Sequence, residues 1–521
     1  MSGIAGAIAL NSRARPDVEA VSRMVQALQG HHWGPRRMCG DSRVILAHRH
    51  GDLPDTPDGL QPVVDGATGV AAIIDGHLIN RAELIRGLGD AVRGDAVDDA
   101  RLVIAAYARW GKWFVERLEG DFALVLADRA RHTTLLARDR LGVKPLYLAE
   151  AGGVVWFAST MPALVASRVV DSTVDRDAVR EFIGHAGRVA SPGTVLAGVQ
   201  KLPPATLRII DADGETRDRV YWQPPVRTEV ADTTPPRERV DALHEALRAA
   251  VRRRLPDTGP VHVPLSGGLY SSLLVALLTD CHLGPVHTLS LGFDGVGHRD
   301  GDELHHAGVV ARRYGTRHQA LQVPVGELAA TVHGAVDDMI EPIGDPEAVA
   351  LHLASRHLPD PTRPVWFGHG PAEAPRSPER LRDLAEGPLV RIDSMTRGWS
   401  VQAEVPFLDR AVVELVAADP AGAARGETPR LISTLAREVL PPRIAARPRH
   451  RPALPAAACL DGPLLDLARD TLRSRAAQER ALVQPFQLER WLAAPQRRGG
   501  TAGSALWALT VLELWLQRHA A

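Results

Sequence analysis

Residues 261–279 read Val261-His262-Val263-Pro264-Leu265-Ser266-Gly267-Gly268-Leu269-Tyr270-Ser271-Ser272, followed by Leu273-Leu274-Val275-Ala276-Leu277-Leu278-Thr279. A short apolar run enters a glycine-containing turn and leaves it as a longer apolar segment, the pattern of strand, turn and buried helix. Glycines at such a turn let backbone N–H groups face an anion at the positive end of the helix, and serine hydroxyls add donors. The stretch therefore predicts a pyrophosphate- or ATP-binding turn, with an ordinary glycine-containing connection as the plain alternative.

Outward from this turn, the pattern predicts helix 236–255, strand 260–265, helix 271–280, strand 286–292, helix 302–314, strand 317–323 and helix 326–339. Strands alternating with helices imply a parallel sheet with right-handed crossovers and ligands at the carboxyl ends of strands. From about residue 375 the chain reads as mostly helix with Arg/Pro-rich breaks. Residues 1–205 are strand-rich instead, with apolar runs at 44–47, 70–74, 122–126 and 133–137. Helical periodicity appears at 17–29, through Val18, Val21, Val25 and Leu28, and at 99–110, through Leu102, Val103, Ala106 and Trp110. An α+β sandwich is the expected packing. Residues 206–235 read as a hairpin turning at Asp213-Gly214, then a polar, proline-containing linker. The expected domains are thus 1–205 and 236–521.

Composition agrees with this division. The 521 residues, 45% of them hydrophobic, can bury two or three cores. Lys plus Arg number 61 against 62 Asp plus Glu, so the basic excess of a nucleic-acid binder is missing. No apolar run approaches the ~18 residues of a membrane span, and Cys39, Cys281 and Cys459 form no C-x-x-C pair. A cytoplasmic protein is expected, with no nucleic-acid or membrane partner. Among 21 histidines, the clusters His31-His32, His48-Arg49-His50 and His305-His306 show no zinc-site spacing, so no metal ligands are assigned. Lys112, Lys144 and Lys201 are the only lysines.

This turn and four further stretches occur in a telling order. They are Met1-Ser2-Gly3-Ile4-Ala5-Gly6, Asp75-Gly76-His77-Leu78-Ile79-Asn80, residues 136–147 (Leu136-Ala137-Arg138-Asp139-Arg140-Leu141-Gly142-Val143-Lys144-Pro145-Leu146-Tyr147), Ser266 to Ser272, and Val405-Pro406-Phe407-Leu408-Asp409. Together they resemble glutamine-hydrolysing asparagine synthetase over nearly the whole chain. The resemblance implies an N-terminal-nucleophile, class II glutamine amidotransferase domain of four α and β layers, followed by an α/β ATP-pyrophosphatase-type synthetase domain with a helical C-terminal part. In that family, glutamine supplies ammonia while ATP and magnesium drive adenylation of a carboxylate for amide formation. Its relatives include β-lactam synthetase and lasso-peptide cyclases, which replace ammonia with an internal amine.

Transferred position by position, the resemblance marks both sites as altered. Ser2 stands where the family has its nucleophilic cysteine, and a hydroxyl is far the weaker nucleophile near neutral pH. His50 stands at the arginine that holds the glutamine carboxylate. Asp75, beside Gly76, replaces the asparagine that donates to the oxyanion, where losing one donor already costs about 2.7–4 kcal/mol. Asp99 matches the aspartate that receives the substrate ammonium, but Arg101 replaces the glutamate two places on.

In the ATP turn, Ser266, Gly267, Gly268, Ser271 and Ser272 remain and Tyr270 replaces an aspartate. The segment Gly368-His369-Gly370-Pro371-Ala372-Glu373 keeps one of three carboxylates. Pro429, Ser433 and Arg449 replace phosphate-side lysines and an arginine, and Glu341 survives from the substrate-side motif. The basic run Arg443 to Arg451 is the better candidate of the arginine clusters for an acidic group.

Two readings follow. One is a pseudoenzyme without glutaminase activity and with weak or lost ATP turnover, acting through a partner enzyme. The other is a glutamine-independent adenylating enzyme that forms an amide on a small-molecule carboxylate. A homodimer fits either, and ATP with magnesium is the expected cofactor pair only for the second.

Overall fold

A computed structural model describes residues 2–28, 33–51, 60–89, 92, 97–224, 234–293, 302–358, 360, 362–370, 377–419, 428–447, 460, 462–495 and 501–520. The first domain contains β1 (Ser2–Ala9), α1 (Val18–Ala27), β2 (Trp33–Gly40), β3 (Val44–Gly51), β4 (Val63–Val64), β5 (Val70–Leu78), α2 (Arg81–Leu88), α3 (Asp99–Trp110), β6 (Gly120–Asp128), β7 (Thr133–Arg138), β8 (Tyr147–Ala151), β9 (Val154–Ala158), α4 (Met161–Ala166), α5 (Arg176–Gly184), β10 (Gln200–Lys201), β11 (Thr206–Ile210) and β12 (Thr216–Val220). The strands form two antiparallel sheets, ordered β10-β8-β9-β1-β3-β2 and β12-β11-β7-β6-β5-β4.

Alternation along the strands sorts side chains into layers. In β1, Ile4 and Ile8 join Ile73, Val125 and Leu136 between the sheets. Ala5, Ala7 and Ala9 face the other way, where their small size lets α1 approach through Val21, Met24 and Val25. On the second sheet, Ala72, Ile74, Leu124 and Leu126 turn outward onto Leu102, Val103 and Ala106 of α3. The result is helix, sheet, sheet, helix: the four layers expected. Both faces of the central strands are covered, so β1 reads as a continuous apolar run.

The hairpin at the expected boundary belongs to this domain. Leu207 of β11 pairs with Ala137 of β7 and with Arg219 of β12, so the hairpin forms the edge of the second sheet. Turn residues mark a hairpin locally, but its docking depends on register with a strand 70 residues earlier. Residues 225–233 of the expected linker lie outside the described residues.

The second domain runs through α6 (Pro236–Arg252), β13 (Val261–Pro264), α7 (Leu269–Cys281), β14 (Val286–Phe293), α8 (Asp302–Tyr314), β15 (Arg317–Val323), α9 (Val325–Asp337), α10 (Glu347–Arg356), β16 (Val365–Trp366), α11 (Pro378–Leu384), α12 (Val390–Arg397), β17 (Ala403–Glu404), α13 (Arg410–Ala418) and α14 (Arg430–Val439). Its sheet is parallel throughout, ordered β15-β14-β13-β16-β17. The chain grows from β13 toward β15 and then returns to the other side of β13. This reversal makes the β13/β16 boundary a topological switch point, where the carboxyl ends of two strands open a crevice.

The remaining C-terminal part is helical. Its last helix, Thr501–His519, buries Leu506, Trp507 and Trp515 in the core shared with α9 and with α5 of the first domain, and Trp515 Nε1 donates to Met339 O at 3.1 Å. Among the described residues, no helix is long and apolar enough to cross a membrane.

Candidate functional site

Both candidate sites take their position from the sheets. In the first domain, β1 and β3 pair so that Ser2 lies opposite His50, and β5 presents Asp75 toward Ser2 from the facing sheet. Ser2 Oγ donates to Asp75 Oδ1 at 3.4 Å, and Ser159 Oγ donates to Asp75 Oδ2 at 2.6 Å. The next residue, Gly76, has φ +112°, and a Cβ there would meet the Asp121 carbonyl oxygen at 1.9 Å, so only glycine fits. Arg49, beside His50, turns to the opposite face, where it donates to Leu28 O at 2.6 Å.

The decisive partner comes from the second domain. Arg397, at the end of α12, donates to Asp75 Oδ2 at 2.8 Å and to Ser2 O at 2.5 Å. Ser2 is 2% exposed and Asp75 0%. Neither the hydroxyl nor the carboxylate is open to an incoming amide. Asp99 is equally committed: it accepts from Leu78 N at 2.7 Å and pairs with Arg81.

Arg397 continues into a buried network across the domain boundary. Its guanidinium also contacts Asp393 Oδ2 at 2.9 Å, and Lys144 Nζ contacts Asp393 Oδ1 at 2.7 Å. Burial alone would raise the Asp393 pKa, but Arg397 and Lys144 pull it below the usual carboxylate range. Alongside, Lys201 Nζ lies 3.0 Å from Glu341 and 2.8 Å from Glu386, and Arg138 Nη1 lies 3.4 Å from Glu386. Burial and the neighbouring Glu386 push Glu341 above the usual range, with Lys201 opposing them. Glu341 is therefore held in the interface by Lys201 of the first domain. Two of the three lysines, together with Arg138 from the 136–147 stretch, serve this boundary.

The second candidate site occupies the switch point. β13 leads through Leu265 into Ser266-Gly267-Gly268 and the first turn of α7, and β16 leads into Phe367 to Gly370. Gly267 has φ +66°, and a Cβ there would meet Ala307 N of α8 at 2.6 Å. A Cβ on Gly368 would meet Ser271 N at 2.8 Å, so the two turns approach at backbone distance. Gly268 N donates to Ser266 Oγ at 3.3 Å, the Ser266 and Ser271 hydroxyls lie 3.1 Å apart, and the buried Ser272 Oγ has no hydrogen-bond partner among the described residues. Arg447 Nη1 donates to Gly267 O at 3.2 Å, bringing a cation from the basic run to the turn.

Tyr270 is turned toward the core, its ring 6.3 Å from that of Phe407. Backbone amides at a helix start, spare hydroxyls and an arginine fit a phosphate group. They do not fit magnesium: the turn 266–272 contains no carboxylate, and hard cations need anionic oxygens. Ala372, Glu373, Arg449 and His31-His32 lie outside the described residues.

The asparagine synthase family matches residues 242–370 and 376–517, and the glutamine amidotransferase domain family matches residues 1–222. The chain belongs to the asparagine synthase family. The family is one of glutamine-dependent synthetases that use ATP, generally with magnesium. Asparagine synthetase 3 of Bacillus subtilis is 28% identical over 307 residues, 56% of this chain and 48% of the relative. Asparagine synthetase 2 of Oryza sativa subsp. japonica is 27% identical over 408 residues, covering 71% and 61%. The chain thus spans about half to three-fifths of these relatives' length. Among solved structures, the glutamine phosphoribosylpyrophosphate amidotransferase of B. subtilis aligns over 81% of this chain and 94% of its own, with 12% identity and a TM-score of 0.32.

Ser2, His50, Asp75, Gly76 and Asp99 thus gather around one end of β1 and β5, and Ser266 to Ser272, Gly368 and Gly370 gather at the switch point. Glu341 joins the interdomain network instead. Sequence reading gave no sign of Arg397, whose partner is 322 positions away, nor of Arg81 at Asp99. Arg447 fell inside a basic run already singled out.

Proposed function

We propose that this family member hydrolyses no glutamine and acts as a pseudoenzyme, its first domain serving as a structural platform for the second. The observation that carries this reading is the Arg397 guanidinium on Asp75. A pocket that must bind an amide and stabilise an oxyanion is occupied by a salt-bridged carboxylate, which accepts rather than donates. The absence of carboxylates from turn 266–272 supports weak nucleotide binding with little magnesium dependence. The chain then works in the cytoplasm beside a partner enzyme that carries the amide-forming chemistry.

The unpartnered Ser272 Oγ and the nearby Arg447 favour a second reading, in which the phosphate turn still serves adenylation of a small-molecule carboxylate without glutamine. Pyrophosphate release separates the two. The purified chain is given ATP, magnesium, ammonium and a panel of amino acids and small carboxylic acids. No release supports the pseudoenzyme, and release dependent on one carboxylate establishes the second reading.

A further inference from the structure

A third cluster lies on the domain boundary outside both sites. His77 on β5 pairs directly across the ladder with Asp121 on β6, and Glu404 comes from β17, the edge strand of the parallel sheet. Their side-chain ligand atoms all lie within 4.8 Å of one another. His77 Nε2 is 3.4 Å from Glu404 Oε1. That is the separation of two ligands bound at about 2.0–2.1 Å around a tetrahedral ion, about 3.3–3.4 Å.

Hydrogen bonding leaves the centre of this cluster unsatisfied. Among the described residues, Asp121 Oδ2 and Glu404 Oε2 have no hydrogen-bond partner, although Asp121 is 6% exposed and Glu404 1%, and His77 Nε2 has only its ion-pair contact with Glu404 Oε1. Gln402 Nε2 donates to the other Glu404 oxygen at 2.5 Å. Arg254 donates through Nη1 to Asp409 Oδ2 at 2.8 Å and to Ala250 O at 3.0 Å, and its Nε forms an ion pair with Glu404 Oε2 at 3.6 Å, beyond hydrogen-bond distance. Buried carboxylate oxygens that no hydrogen bond reaches are costly. One divalent ion would satisfy all three.

We propose that His77, Asp121 and Glu404 bind a single divalent first-row metal ion of the zinc or manganese class, which clamps the first domain to the second. One imidazole nitrogen and two carboxylates suit these ions and leave a position for water. Asp121 and Arg254 also line a small cleft bounded by Glu119, Arg140, Trp222 and Asp409. The ion has no part in either candidate active site.

The test uses the full chain stripped with a chelator and dialysed against Zn²⁺ or Mn²⁺, with bound metal counted by elemental analysis and affinity measured by calorimetry. One equivalent is expected, weakened at least about tenfold in both His77→Gln and Glu404→Gln. Co²⁺ added to the unmodified chain gives visible d–d bands, which His77→Gln abolishes. Failure of the unmodified chain to hold an equivalent of any of these ions overturns the proposal, whatever the variants do. So does stoichiometric binding that both substitutions leave unchanged.

Discussion

Arg397 and Asp75, 322 positions apart and on different domains, meet at 2.8 Å with side chains 2% and 0% exposed. The pair ties the end of α12 to the middle of the first domain's inner sheet. Because Arg397 also holds Ser2 O and Asp393, the Ser2–Asp75 cluster and the domain boundary are one structural feature. A carboxylate at residue 75 is intelligible in this setting: it gives the incoming guanidinium a charge partner.

Removing the guanidinium should therefore cost stability. Arg397→Met leaves Asp75 and Asp393 buried near each other with Lys144 as the remaining cation, and breaking a buried pair from one side costs about 3–5 kcal/mol. Chemical denaturation followed by tryptophan fluorescence should show this loss. Adding Asp75→Asn should recover part of it, giving a non-additive double-mutant cycle. Additivity would mean that the two side chains do not interact.

Restoring the nucleophile should not restore the reaction. Ser2→Cys supplies a thiol, yet Asp75 still accepts where an oxyanion donor is needed and Arg397 still fills the space. Ammonia release from glutamine should stay at background in this variant. Activity from that single change would show an otherwise intact pocket.

Nucleotide should bind weakly and nearly independently of magnesium, as calorimetry with and without the metal will show. Arg447→Ala should weaken ATP binding about tenfold or more through loss of a charged phosphate partner. Tyr270→Asp should introduce magnesium dependence. Gly267→Ala should abolish binding, because its Cβ would collide with α8.

How much of this was legible in the sequence depended on range. Alternation in β1, β5 and β6 and the Ser-Gly-Gly turn are local, so strands, helices and the switch-point site could be read directly. Asp75 itself was legible because it concerns one side chain. Arg397 was not, since nothing in α12 specifies a partner on another domain's strand. The contact of Glu341 with Lys201, 140 positions earlier, was likewise not legible locally. The cluster of His77, Asp121 and Glu404 requires the packing of two sheets.

Acid should destabilise the fold through buried neutral histidines. Burial, helped by His50, lowers His48 to about 3, and burial with His287 lowers His262 to about 4. The unfolded chain takes up these protons first, near pH 6.5, so stability is complete above that pH and falls as pH drops toward 4. His48→Gln and His262→Gln should each flatten the slope of unfolding free energy between pH 6.5 and 4, by up to about 1.4 kcal/mol per pH unit. Denaturation series at half-unit pH intervals will measure it.

The central claim is that the first domain has exchanged glutamine chemistry for an interdomain salt bridge. It is tested most directly by incubating the unmodified 521-residue chain with excess glutamine, with and without ATP and magnesium, and quantifying glutamate and ammonia. The account predicts neither product above the level of a Ser2→Ala control. Glutamate formed at a rate that Ser2→Ala abolishes would contradict it.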